Sequence, residues 1–202
     1  MELINKNPKM YSRNDLPFYL KHIGLNGIGV EVGVNLGEYS ELMVKNGEFK
    51  KFFSVDSWTK ETPDIFFEDG SNYIVPNNDE IYNKAKERLN KYGDRVEIIR
   101  NNSFDASQLF EDEYFDFIYL DADHSLEGIR DDIKFWYPKL KKGGMFSGHD
   151  YMDGKRIWDR KIYSLFGVKT AVDEFVEKEN LELNLIKERG LEAWWTWYVF
   201  KK

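Results

Sequence analysis

The sequence predicts an α/β fold: a doubly wound sheet of seven strands, mostly parallel, closed by an antiparallel C-terminal hairpin strand. Three observations carry this. Short β-branched and aromatic runs alternate with helix-length amphipathic stretches along most of the chain, which is the order of a parallel sheet with helices on both faces. The last two apolar runs, 181–187 and 193–201, are joined by a connection too short for a crossover helix, so they pair antiparallel. The 202 residues suffice for one such domain with a real core.

Residues 1–24 are polar with scattered apolar positions and read as an N-terminal helical cap. "GIGVEVGV" (27–34) is a β-branched run ending in glycine, a buried strand. "GEYSELMVKNG" (37–47) has helical spacing and a closing glycine. "KKFFSVDSW" (50–58) is the second strand. Residues 57–79, with Pro63, Gly70 and Pro76 among aromatics, read as a lid-like insertion. A helix (79–93), a strand (95–100), a strand (114–123), a helix opened by Ser125 (125–140), a strand (143–150) and a helix (168–180) follow. Arg156, Arg160 and Lys161 read as a solvated helix face.

Composition removes several classes. Hydrophobic residues make up 42% and aromatics 16%, so the chain folds rather than staying disordered. The net charge of −7 lacks the basic excess that nucleic acid requires. With no cysteine there is no disulfide, thiolate metal site or cysteine nucleophile. No run approaches the roughly 20 apolar residues that span a bilayer. The expectation is a cytoplasmic protein without nucleic-acid or membrane partners.

Chemistry gathers where strands end, the place at which doubly wound sheets bind ligands. The first strand runs into Glu31-Val-Gly33-Val-Asn-Leu-Gly37, and Asp56 ends the second, 19 residues after Gly37. Two glycines allow a tight turn close to a ligand, and an acid on the second strand suits ribose hydroxyls. Only Gly-x-x-x-Gly is present, and Glu31 would repel a pyrophosphate. It suits an ammonium group instead. S-adenosylmethionine has an adenosine, an ammonium and no phosphate, so the residues favour it over NAD. The bland alternative is an ordinary strand–helix turn beside a surface acid.

Two of the three histidines stand beside carboxylates at strand ends, in "LDADHSLEG" (Asp121, Asp123, His124) and "GHDY" (His149, Asp150). Such a rim supplies a base near neutral pH and oxygen ligands for a divalent cation, Mg²⁺ or Mn²⁺. Structural alternatives stand beside this: Asp121 or Asp123 satisfying loop amides, and His149 as a hydrogen-bond partner of Asp121. His22 lies in the polar N-terminal helix, and Trp194, Trp195 and Trp197 read mainly as core.

"VEVGVNLGEYS", "FFSVDSW", "FIYLDADHSLEGIRDDIKFWYPKLKKGGMFSGHDY" and "GVKTAVDEF" together resemble the class I S-adenosylmethionine-dependent methyltransferases. More narrowly they resemble the macrocin-type sugar O-methyltransferase group, over roughly residues 25–200. The resemblance implies a Rossmann-like fold and a single methyltransferase domain over 1–202. It places Gly33 and Gly37 near the methionine moiety of the cofactor, with Glu31 at its amino group. Asp56 would hold the ribose, Ser103 and Phe104 would lie beside the adenine, and Ser57 and Trp58 would border that pocket; Trp58 packing on the sheet edge is the alternative. Asp121 and His124 match the group's metal ligand and base, and Asp150 its later metal acid. His149 departs from the carboxylate often found there, and with Asp121 and Asp150 it completes the expected metal set. The implied acceptor is a small molecule or glycan, a deoxyhexose such as rhamnose first. Catechol-like phenols and an NAD-linked oxidoreductase are the alternatives. The resemblance also allows a homodimer, and fusion to glycosyltransferase domains in a longer chain.

Overall fold

The computed structural model describes residues 9–59, 78–158, 161–188 and 194–202. Most of the lid-like segment expected at 57–79 therefore lies outside the described residues, as does Arg160. A 3-10 turn, Arg13–Asp15, leads into α1 (Leu16–Ile23), β1 (Ile28–Val32), α2 (Glu38–Gly47), β2 (Lys51–Asp56), α3 (Asn78–Asn90) and β3 (Val96–Arg100). Then come α4 (Ser103–Ser107), β4 (Phe115–Leu120), α5 (Leu126–Trp136), β5 (Leu140–Gly148), β6 (Asp153–Trp158), β7 (Lys161–Gly167), α6 (Val168–Lys178), β8 (Asn184–Ile186) and β9 (Thr196–Phe200).

The main sheet has seven strands in the order β3-β2-β1-β4-β5-β9-β8. β3 through β5 run parallel, and β9 runs antiparallel to both β5 and β8. Alternate residues of one strand feed opposite faces. Phe53, Ile118, Leu120 and Phe146 join α5 and α6 in one core, with Ile133, Trp136 and Val172. Phe52, Phe117, Tyr119 and Met145 pack on the other face against α1 and α2, with Leu16, Leu20 and Met43. Two covered faces explain why the central strands read as near-continuous apolar runs.

Three elements were not foreseen. α4 is a five-residue helix capped by Asn102, whose side chain accepts from the Asp105 amide. β6 and β7 form a separate two-stranded antiparallel sheet. The solvated-helix reading of Arg156 and Lys161 is corrected: Arg156 belongs to β6 and Lys161 to β7. The short "KRIW" and "KIYSLF" runs combine β-formers with a tight connection, which favours a hairpin over a helix.

Candidate active site

Four hydrogen bonds just past the strands bring five strand ends to one rim. The Asn101 amide donates to Asp56 O (3.0 Å), Gly33 to Val55 O (2.9 Å), Asp121 to Val32 O (2.7 Å) and His149 to Leu120 O (3.0 Å). Each bond extends a parallel pairing by one residue, so register along the strands fixes which side chains meet above them. Strand order reverses between β1 and β4, and a cavity of about 560 Å³ opens at that switch point.

Gly33 lines the cavity. Its φ is +94°, and a Cβ there would lie 2.0 Å from the Asp121 carbonyl oxygen. The tight turn is therefore demanded by the packing of β1 against the end of β4. Gly37 does not line the cavity: it starts α2 with φ +76° and rests against Leu89. Glu31 reaches the cavity from β1 while only 2% exposed. Burial raises its carboxyl well above the ordinary range, against the opposing hydrogen bond donated by Ser40. Asp56 also lines the cavity, but its carboxylate already clamps the turn, accepting from the amides of Val34 (2.9 Å), Asn35 (2.8 Å) and Trp58 (2.9 Å). A carboxylate has about four acceptor sites, so roughly one remains for a ribose hydroxyl.

Trp58 lines the cavity, and it packs with Tyr82, Ala85 and Leu89 of α3 while 4% exposed. Its φ of +41° is unusual for a bulky residue. Three hydrogen bonds hold it: the Asp56 contact, its Nε1 donating to Asn35 O (2.9 Å), and Arg100 donating to its carbonyl (2.8 Å). Ser57, Ser103 and Phe104 line the same cavity. Ser103 Oγ donates to Asp132 and accepts from Trp136 Nε1 (2.9 Å). Phe104 packs edge-on against Phe135, itself a lining residue.

The acids and histidines of β4 and β5 converge. His124 Nε2 lies 3.3 Å from Asp121 Oδ1 and 3.2 Å from Asp150 Oδ2. Ligand atoms of Asp121, His124 and Asp150 all lie within 4.8 Å of one another, the one such group among the described residues. His149 stands outside this group and touches Asp150 instead, Nδ1 to Oδ1 at 2.7 Å. That approach lacks hydrogen-bond alignment, and Asp150 Oδ1 is buried with no hydrogen-bond partner. Burial opposes the charge on Asp121. The hydrogen bond from His124, with the charges of His149, His124 and Arg13, outweighs it and holds the carboxyl below its ordinary range. Asp123 takes the structural role: its Oδ1 accepts from the Ser125 amide (2.8 Å), and its side chain fills the space left by Gly128.

Three further residues belong to the site. Arg13 lines the cavity and pairs with Asp121 Oδ2 at 3.2 Å. Asp132 lines it from α5, with burial raising its carboxyl to about 7 and Oδ2 left without a partner. Phe166, in β7, lies 5.3 Å from the His124 ring and 5.6 Å from Trp194. The single-chain pattern marks none of them, because a basic residue in a polar leader and an acid in an amphipathic helix look ordinary. Trp197 and Trp195 belong to the core or pack against it, and His22 is exposed on α1.

A cavity at the switch point of a parallel sheet, with an acid–imidazole group at its edge, defines an α/β protein with a ligand site at its strand ends. The chain belongs to the methyltransferase-domain family, whose model matches residues 28–151. It is a methyltransferase, which decides against the NAD-linked alternative. Its fold is similar to an O-methyltransferase from Bacillus cereus in complex with S-adenosylhomocysteine, at 16% identity, 98% coverage of this chain and 84% of that one, and TM-score 0.61. It is likewise similar to a putative caffeoyl-CoA O-methyltransferase from Staphylococcus aureus (16%; 98% and 87%; 0.63). A third is the 1,6-didemethyltoxoflavin-N1-methyltransferase of Burkholderia thailandensis (13%; 94% and 77%; 0.58). No curated protein sequence matches the chain. No helix among the described residues is long and apolar enough to cross a membrane.

Proposed function

We propose that the protein is an O-methyltransferase that moves the sulfonium methyl of S-adenosylmethionine to a hydroxyl of a sugar or glycoside. The observation that carries this reading is His124 Nε2 set between the Asp121 and Asp150 carboxylates at the cavity edge. In the transfer the acceptor oxygen bonds to the methyl carbon as the carbon–sulfur bond breaks. Nε2–H already donates to the flanking carboxylates, so the hydroxyl proton passes to the other ring nitrogen of His124, Nδ1, and the carboxylates stabilise the imidazolium that forms. Alignment supplies most of the rest, since the sulfonium already activates the methyl.

The residues also fit a divalent cation. Asp150 offers a buried, unpartnered oxygen beside an imidazole, with the Asp121 carboxylate across the same group. Mg²⁺ or Mn²⁺ held by Asp121 and Asp150, with His124 rather than the expected His149 beside them, would polarise the acceptor oxygen and make its proton easier to remove. Phe166, tilted against the His124 ring, and Trp194, edge-on to Phe166, favour an acceptor with an apolar ring face. Sugars have one, and so do catechol-like phenols, the rival acceptor class.

Transfer of labelled methyl to rhamnosides, other hexosides and a catechol, each with Mn²⁺, Mg²⁺ or chelator, tests the reading. Label in a glycoside, lost with chelator, is expected. Label in the catechol alone would refute the sugar assignment, and transfer indifferent to chelator would refute the cation.

A further inference from the structure

Resting on the cofactor reading above, we infer that Arg13 is the anchor for the carboxylate of the cofactor's methionine moiety. Its ion pair with Asp121 holds that place until the cofactor arrives.

The backbone around Arg13 is tethered from several sides. Ser12 and Asp15 form a capping box. Glu188, just beyond β8, accepts from the Arg13 amide (2.8 Å) and from Ser12 Oγ (2.7 Å). Tyr39 donates its hydroxyl to the Arg13 carbonyl (3.1 Å), and its ring lies 4.9 Å from the guanidinium. A residue held this firmly in a short turn, with its side chain in the cofactor cavity, is placed for a ligand rather than for the core.

The chemistry of the ligand matches. The amino-acid end of the cofactor is a zwitterion. Glu31 and Asp121 face this end of the cavity with acids suited to the ammonium. Arg13 is the cation beside them, and its charge is felt by both acids. A guanidinium engages a carboxylate through two parallel N–H donors. Among the described residues its one carboxylate contact is single-pronged, Nη1 to Asp121 Oδ2 at 3.2 Å, beside the Tyr39 ring and the Tyr119 hydroxyl. Exchanging Asp121 for the cofactor's carboxylate improves the geometry for Arg13 and frees Asp121 Oδ2 for the acceptor side. Cofactor binding thereby prepares the acid–imidazole group.

Titration calorimetry with S-adenosylhomocysteine and with 5′-methylthioadenosine, which lacks the amino-acid end, tests this. Arg13→Met should weaken S-adenosylhomocysteine by about 10- to 100-fold, the worth of a charge-assisted pair. It should leave 5′-methylthioadenosine within about twofold, and Arg13→Lys should recover part of the loss. Parallel loss of both ligands, or no loss of either, overturns the assignment. A second measurement needs no variant: the native protein should bind S-adenosylmethionine at least about tenfold more tightly than its decarboxylated form. Equal affinities overturn the anchor while leaving the cofactor reading intact. Failure of the native protein to bind any of these nucleosides refutes the cofactor reading itself.

Discussion

Replacing Gly33 by alanine should injure the fold and the site through one contact. The added Cβ would lie 2.0 Å from the Asp121 carbonyl oxygen, 2.4 Å from its carbonyl carbon and 2.7 Å from the Ala122 nitrogen. All three are backbone atoms at the end of β4, so no side-chain rotation relieves the overlap. The φ of +94° adds backbone strain of roughly 1–2 kcal/mol, and forced displacement of packed atoms roughly 1–3 kcal/mol. Loss of unfolded-chain entropy offsets about 0.4–1 kcal/mol. The net destabilisation is about 2–4 kcal/mol, or roughly 4–16 °C in Tm for a chain of this size. Gly37→Ala is the control: φ is +76° there too, but the nearest atom is a movable Leu89 methyl at 3.2 Å. That substitution should cost only about 0.5–1.5 kcal/mol. Thermal and urea unfolding of the two variants measures the contrast. S-adenosylhomocysteine titration should show Gly33→Ala weakened, because Asp121 moves with its backbone. Equal stabilities for the two variants would refute the reasoning.

Three more outcomes are expected. Burial raises Asp132 to about 7, helped by the charges of Asp123 and Asp131 against the Ser103 hydrogen bond. The folded state therefore keeps a proton that the unfolded chain releases above about pH 4. Stability should fall as pH rises from about 4 to 7, by up to ~1.4 kcal/mol per pH unit, and then level off. Asp132→Asn should flatten that slope in urea titrations across pH, and an unchanged slope would exclude Asp132 as its source. Glu31, also raised by burial, must lose its proton to meet the cofactor's ammonium. S-adenosylhomocysteine affinity should rise with pH in the native protein, and Glu31→Gln, which can still accept from Ser40, should bind more weakly and without that rise. His124→Ala should cut turnover by about 10²- to 10⁴-fold while leaving S-adenosylhomocysteine affinity near native; full turnover would remove His124 as the base.

The sequence by itself determined the order of strands and helices, because each element announces itself through local period and local turn chemistry. "GIGVEVGV" and "FDFIYL" read as buried strands for the reason that both sheet faces are covered. Gly33, Asp56, Asp121, His124 and Asp150 were legible as one rim because doubly wound sheets carry ligands at strand ends, and register then places those ends side by side. What only the tertiary structure decided depends on contacts between residues far apart in the chain. Arg13 meets Asp121 across 108 positions, and no local pattern encodes that return. His124 rather than His149 stands between the two acids, since side-chain direction past a strand depends on loop geometry, here on Asp150 with φ +53°. The hairpin of β6 and β7 hid in a charged stretch, because its pairing arises across the turn rather than along one segment. Asp132 looked like an ordinary helix acid. Its carboxyl is set apart only by what packs over it, Ser103 and the wall of the cavity, and burial is a property of the fold and not of the segment.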